Sequence, residues 1–419
     1  ESLNSSPTTV LNDEFSLVIN VNENDSFVFG FEMDPELTSN GNLSFTIDQR
    51  DIVIDMTENS QKEPTAFTGL TIKKAYQRLS KIATGTDKLK SDYFTNGDFK
   101  DAIVTNGKRI RNFDDSIELS LKQLNDSCRA LFNTSMGVEV INNVERFVIE
   151  PYEYFFNPSL LLELGEVTDV QETYNDKFLA SKIDVGYKKG GDYEEQQGLD
   201  EYNTQSSFSH NFKKVDSDLD LQSDLRADTI GIELTRRKQR VDFPTEDTRY
   251  DKDNFIIDCY KQSNLYINRP YTLDFATLPQ GIFSPETAYN LRLTPKNNLY
   301  RISRSFAWLA PYRNKVTNFI SGGRNTNLIT RLIGGVDREE NTNIDNDSLN
   351  VPLLQPIQVT FKHRLTTEQF KILKGNTNGV PNWYKLLSYI ADRGDLNYGF
   401  ILEYEPKDEG TMTLIKANI

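Results

Sequence analysis

The stretch "DSDLDLQSDLRADTIGIELTRRKQR" spans residues 216–240, and how it folds decides how much of the middle of the chain is sheet. Leu219, Leu221, Ile230, Ile232 and Leu234 alternate with polar residues, the period of a half-buried strand. On that reading Ile230, Ile232 and Leu234 face one way and Glu233, Thr235 and Arg237 the other, with "NFIIDCYKQ" at 254–262 as hairpin partner. The same stretch holds the densest run of positive charge, Arg236, Arg237, Lys238 and Arg240. Residues 216–253 nevertheless carry eleven acids against seven cations, a local net charge of −4. These cations have partners nearby in sequence and make a poor phosphate site.

A chain of 419 residues exceeds the size at which one hydrophobic core keeps growing, so several domains are expected. Its 19 Tyr and 25 Phe favour strands and argue against disorder. The expected fold is α+β and β-rich, with antiparallel sheets or small barrels, inserted helices and a multi-domain layout. Residues 1–65 alternate through "FSLVINV", "SFVFGFEM" and "LSFTIDQRDIVIDM", as in an antiparallel meander. Residues 66–165 form a helix-containing unit. Ile72, Ala75, Leu79 and Ile82 recur at helical spacing before Gly85, and Ile117, Leu121, Leu124, Cys128 and Leu131 predict a second helix with Asp114 and Asp115 near its start. A hairpin turning at Asn142-Asn143 follows, and "SDYFTNGDF" between the helices reads as a loop. A central β-rich domain is expected over 166–345. A small α+β unit follows over 346–419, with a strand at "PIQVTFKHRL", a helix capped by Thr366 and a terminal hairpin.

No apolar run reaches the ~18 residues that a spanning helix needs. The first residues, "ESLNSSPTTV", carry neither a basic nor an apolar signal region and no initiator Met, so no signal peptide is expected and the chain reads as processed or trimmed. Cys128 and Cys259 are expected to be reduced and buried, as in a protein made in a cytosol.

Chemistry is sparse. His210 and His363 read as surface residues, no hydrolase, metalloprotease or P-loop motif is present, and two His with two distant Cys do not suggest zinc. Asp345 and Asp347 lack the glycine of an EF-hand turn. Asp216, Asp218 and Asp220 fall on solvent-facing positions. No catalytic residue, cofactor or metal is assigned, and the protein is not expected to be an enzyme. The stronger signal is in residues 287–336, which hold Arg292, Lys296, Arg301, Arg304, Arg313, Lys315, Arg324 and Arg331 and no acid. That segment carries +8 in a chain of net charge −15, leaving −23 for the remainder. It reads as an interface or an internal partner of the acidic bulk; nucleic acid is the lesser alternative, since a pI near 4.8 repels DNA from most directions.

Four stretches carry a resemblance: Gly198–Asn203, Leu219–Ser223, Glu233–Gln239 and Tyr250–Ile257. With "TIKKAYQRLSKIATG", "NLRLTPKNNLYR" and the C-terminal "TFKHRLTTEQFKILKGNTNG", they resemble structural proteins of phages and prophages of Bacteroidetes, over about two-thirds of the chain. The resemblance implies a virion protein of the tail or baseplate hub, made in the bacterial cytoplasm. Its partners would be other copies of itself and other virion proteins. The alternatives are an envelope-directed carboxylate hydrolase or glycan-binding tail module, and a DNA-contacting connector.

Overall fold

The computed structural model describes residues 65–141, 144–175, 178–188, 205–209, 218–238, 250–269, 273–277, 289–305, 316–320, 329–332, 337–391, 393–407 and 409–419. The chain divides into two compact units, Glu1–Asn59 and Ser60–Ile419. The expected N-terminal meander lies outside the described residues, as do the Asn142-Asn143 turn and His210.

Five helices of eight or more residues are described. Helix α1 (Ile72–Thr84) starts where the Thr71 hydroxyl accepts the Lys74 amide and stops at Gly85, whose φ of 74° is left-handed. Helix α2 (Leu121–Phe132) opens on a capping box between Ser120 and Gln123. It begins later than its periodicity predicts, and Asp114 and Asp115 lie outside it. Asp114 instead pairs with Arg109 at 3.3 Å, and Arg109 Nε donates to the Asp115 carbonyl at 2.6 Å. "SDYFTNGDF", expected as a loop, contains a turn of helix at Tyr93–Asn96.

The largest departure is α3 (Thr229–Arg236), a helix where alternation predicted a strand. Asp228 caps it by accepting the Gly231 amide at 2.7 Å, and Glu233 pairs with Arg236 and Arg237 at i+3 and i+4. Those pairs are neighbours on a helix and lie far apart along a strand, which explains the outcome. A short apolar run does not discriminate the two periods. "NFII" therefore finds another partner: Asn254–Ile257 pairs antiparallel with Ile103–Asn106, beside Leu70–Thr71. Against this small sheet α1 and α2 bury Ile72, Tyr76, Leu124, Cys128 and Leu131 with Val104 and Ile256. Cys128 and Cys259 are both free and fully buried, as expected, in separate clusters.

A five-stranded sheet runs in the order Asp218–Ser223, Lys182–Tyr187, Gln205–Ser209, Val316–Phe319, Ile344–Asp345, with only the first pair parallel. Helix α4 (Pro295–Ile302) lays Leu299 and Ile302 on Ile183, Val185 and Phe208.

The C-terminal sheet has six strands in the order Asn157–Glu166, Lys385–Ile390, Leu396–Glu405, Thr411–Ala417, Leu354–Lys362, Thr168–Tyr174. Its two edges are consecutive in sequence, joined through the single buried residue Val167. One chain segment bent at Gly165 (φ 73°) and Asp169 (φ 54°) thus supplies both edges, so the sheet must curl. No ladder closes between them, and no sheet among the described residues is a closed barrel. Helix α5 (Thr367–Lys374), capped by Thr366 as expected, places Leu373 in the core of Val359, Phe361, Leu387 and Leu414. Leu386 and Ile415, their neighbours in sequence, face the opposite side and pack with Phe400 and Leu354 against Tyr152 and Phe156. Both faces of this sheet are covered.

Candidate functional site

Several charged residues of the opening stretch, Arg226, Asp228, Glu233 and Arg236 among them, are drawn into buried ion pairs. Arg226 is 1% exposed and lies between the rings of Tyr187 and Tyr250, 4.7 and 4.1 Å from their centroids. Its guanidinium donates twice to Asp228, at 2.9 and 3.1 Å, and once to Asp253 at 3.1 Å. Asp228 is fully buried and is also the cap of α3, so one carboxylate fixes both the helix start and the arginine. Burial works against the charged form of Arg226; the Asp228 carboxylate outweighs it and holds the group above its ordinary range.

Glu233 sits one turn along α3. Both its oxygens accept from Arg236 at 3.0 Å, Arg237 donates at 2.9 Å and the Tyr289 hydroxyl at 3.0 Å. Burial raises its pKa, but these donors win and hold the carboxyl below its usual range. Arg111 pairs with Asp251 at 2.6 Å, both side chains buried. Arg111 bridges two of the stretches that carry the resemblance, donating to the Lys238 carbonyl in Glu233–Gln239 and to the Asp251 carboxylate in Tyr250–Ile257. The sequence placed Asp and Glu mainly on solvated positions; Asp218 and Asp220 are exposed, while Asp228, Glu233, Asp251 and Asp258 are buried and paired.

The described cations of the acid-free segment also find partners inside the chain. Arg292 donates to both Asp258 oxygens, at 2.6 and 2.7 Å, and lies over Phe99. Lys296 is buried; its amine donates to the carbonyls of Glu339 (2.6 Å) and Thr342 (3.2 Å), and burial pulls its pKa down. Arg301 donates to the Leu131 carbonyl and, at 2.8 Å each, to Asn298 Oδ1 and the Arg292 carbonyl. Arg304 pairs with Glu153 at 3.0 Å and Arg331 with Asp337 at 2.6 Å, both half-exposed. Arg313, Lys315 and Arg324 lie outside the described residues. All five described cations meet internal partners, and an outward interface retains only Arg304 and Arg331 of them.

Sequence reasoning missed a second basic surface. Residues 64–86 contain Lys73, Lys74, Arg78 and Lys81 and no acid. On α1, Lys74, Arg78 and Lys81 fall at i, i+4 and i+7, one exposed stripe, and they make no ion pair with a described residue. Beside that stripe the apolar row runs past the core: Ala75 is buried, Leu79 half-buried and Ile82 83% exposed. A groove of about 570 Å³ lies there, between α1, Leu70, Val104 and the segment carrying Ile117 and Leu119. The signal available in the sequence was the absence of acids around an amphipathic period.

A third surface is Thr134–Ile141, the edge strand of a three-stranded sheet. Its alternate residues Met136, Val138 and Val140 are exposed, Val138 by 54%. On the other face Glu139 is buried, accepting from Lys90 at 3.1 Å, while Lys90 also donates to the Tyr154 hydroxyl at 2.7 Å. Burial pushes Tyr384, close by, up to about 12. His363 is half-buried rather than on the surface, and burial lowers its pKa. Asp345 caps a short turn by accepting the Asp347 amide at 3.0 Å. No group of three or more metal-ligating side chains occurs among the described residues, and no described helix is long and apolar enough to cross a membrane. No protein-family model, no curated protein and no solved structure matches the chain.

Proposed function

We propose that the protein is a structural assembly subunit, and, from its sequence resemblance, that the assembly is a phage tail or baseplate. The observation that carries this is the edge strand Thr134–Ile141, whose backbone is hydrogen-bonded on one side only among the described residues and whose outward row is apolar. Such an edge templates pairing with another chain unless it is blunted by charge or proline. Its three outward side chains are Met136, Val138 and Val140. The interior is consistent with a scaffold role, since the ionisable groups brought together around Arg226, Glu233 and Asp258 hold one another. Assembly through a sheet edge rests on backbone hydrogen bonds and apolar contact. It therefore persists when salt rises to about 0.5 M, where exposed charge pairs are screened. The internal partners of the described cations in 287–336 favour this edge over the interface reading of that segment. Sedimentation velocity at low and high salt tests it, with Val138→Lys as the blocking variant. Oligomers that survive salt and dissociate in the variant support the reading; a monomer at every concentration overturns it.

A further inference from the structure

The described cations of the +8 segment find internal partners, while α1 keeps a row of exposed cations that pair with no described residue. Three facts about it point the same way. Lys74, Arg78 and Lys81 form an exposed stripe with no acidic partner among the described residues, in a protein whose net charge is −15. Immediately beside them Leu79 and Ile82 continue the apolar row beyond the core that the first turns bury. Between that row and Ile117 and Leu119 the surface is concave, a groove of about 570 Å³.

We propose that this groove is a docking site for an acidic, amphipathic segment of another polypeptide. Aliphatic side chains of the segment seat against Leu79, Ile82 and Ile117, and its carboxylates meet Lys74, Arg78 and Lys81. Helix-in-groove recognition seats the apolar face of an amphipathic helix in such a floor, and the cationic rim adds charge complementarity. A flat anionic bilayer can touch the lysines and Ile82 but leaves the floor at Val104 unfilled. A nucleic acid satisfies the cations and leaves the apolar wall wet. A peptide with leucines on one side and glutamates on the other satisfies both. The charge rim sets approach and register, and the floor supplies the contact area. The inference deepens the assembly reading by naming the chemistry of one partner, and it rests on that reading.

The test is fluorescence anisotropy of the full chain with a fluorescein-labelled helical peptide, leucine on one face and glutamate on the other. Two control peptides replace glutamate by lysine or leucine by serine. The expected result is saturable binding of the first peptide alone. Arg78→Glu with Lys81→Glu, and separately Ile82→Glu, should each weaken it roughly tenfold or more. Arg304→Glu, at a half-exposed cation outside the groove, should change it less than about twofold. Arg78, Lys81 and Ile82 are exposed and Arg304 is half-exposed, so the variants retain the fold. Equal binding of the three peptides overturns the proposal. So does binding of phosphatidylglycerol vesicles or of a single-stranded oligonucleotide that the α1 variants abolish while the acidic peptide does not bind. Sedimentation of the same samples separates the two claims. Oligomers with no peptide binding sink the docking site alone, and peptide binding by a strict monomer sinks self-assembly alone.

Discussion

Replacing Arg226 by methionine tests whether the buried lattice organises the fold. The side chain is 1% exposed, and its removal strands the fully buried Asp228 carboxylate beside two aromatic rings. Removing one member of a buried pair costs about 3–5 kcal/mol, because the remaining charge is left uncompensated. The stacking lost with Tyr187 and Tyr250 is part of that total rather than an addition to it. Asp228 keeps one role in the variant, since its carboxylate still accepts the Gly231 amide. That fact sets up a second step: Asp228→Asn in the Arg226→Met background removes the stranded charge and retains an oxygen for the cap, and Asn caps as well as Asp. The double variant should therefore recover about 1–3 kcal/mol of the loss. Arg304→Met, which breaks a half-exposed pair with Glu153, should cost less than about 1 kcal/mol. Equilibrium urea unfolding followed by circular dichroism measures all three. A cost below about 1 kcal/mol for Arg226→Met, or a double variant less stable than the single, refutes the reasoning.

Two further outcomes follow from the same region. Glu233 is held below its usual pKa in the folded protein, so its contribution to stability is complete above the unfolded value of about 4.3 and is lost as pH falls through the lower folded value. The advantage of the wild type over Glu233→Gln should stay constant from pH 5 to 8 and shrink on acidification below about pH 4, and a gap that widens in acid contradicts the assignment. At Gly107 a Cβ would stand 2.0 Å from the Tyr250 carbonyl oxygen, a backbone atom that cannot swing aside. Gly107→Ala should cost about 1–3 kcal/mol or more in urea unfolding, and a neutral substitution would show that Tyr250 and Asp251 are not held there.

Much of the secondary structure was legible because it is signalled locally. Thr71 and Gly85 bound α1, Thr366 and Gln369 form the box that opens α5, and the terminal hairpin follows its alternation. The failures also have local causes. At 229–236 five or six apolar and polar residues satisfy both periods, and the Asp228 cap with the Glu233 pairs tips the balance to helix. At 113–120 the helical period extends beyond the Ser120 capping box, which cuts the helix short.

Charge separates what the sequence determined by itself from what tertiary structure decided. Composition and alternation sufficed for a β-rich α+β chain with two buried thiols, because caps, turns and periodicity act between residues a few positions apart. They also marked residues 287–336 as a basic segment without acids. Which cations face inward was settled by contacts across long separations, Arg292 to Asp258 and Arg111 to Asp251. A buried cation needs acceptors within hydrogen-bonding reach, and only the folded chain brings these distant partners together. The same packing left the stripe of Lys74, Arg78 and Lys81, the less conspicuous one in the sequence, facing solvent.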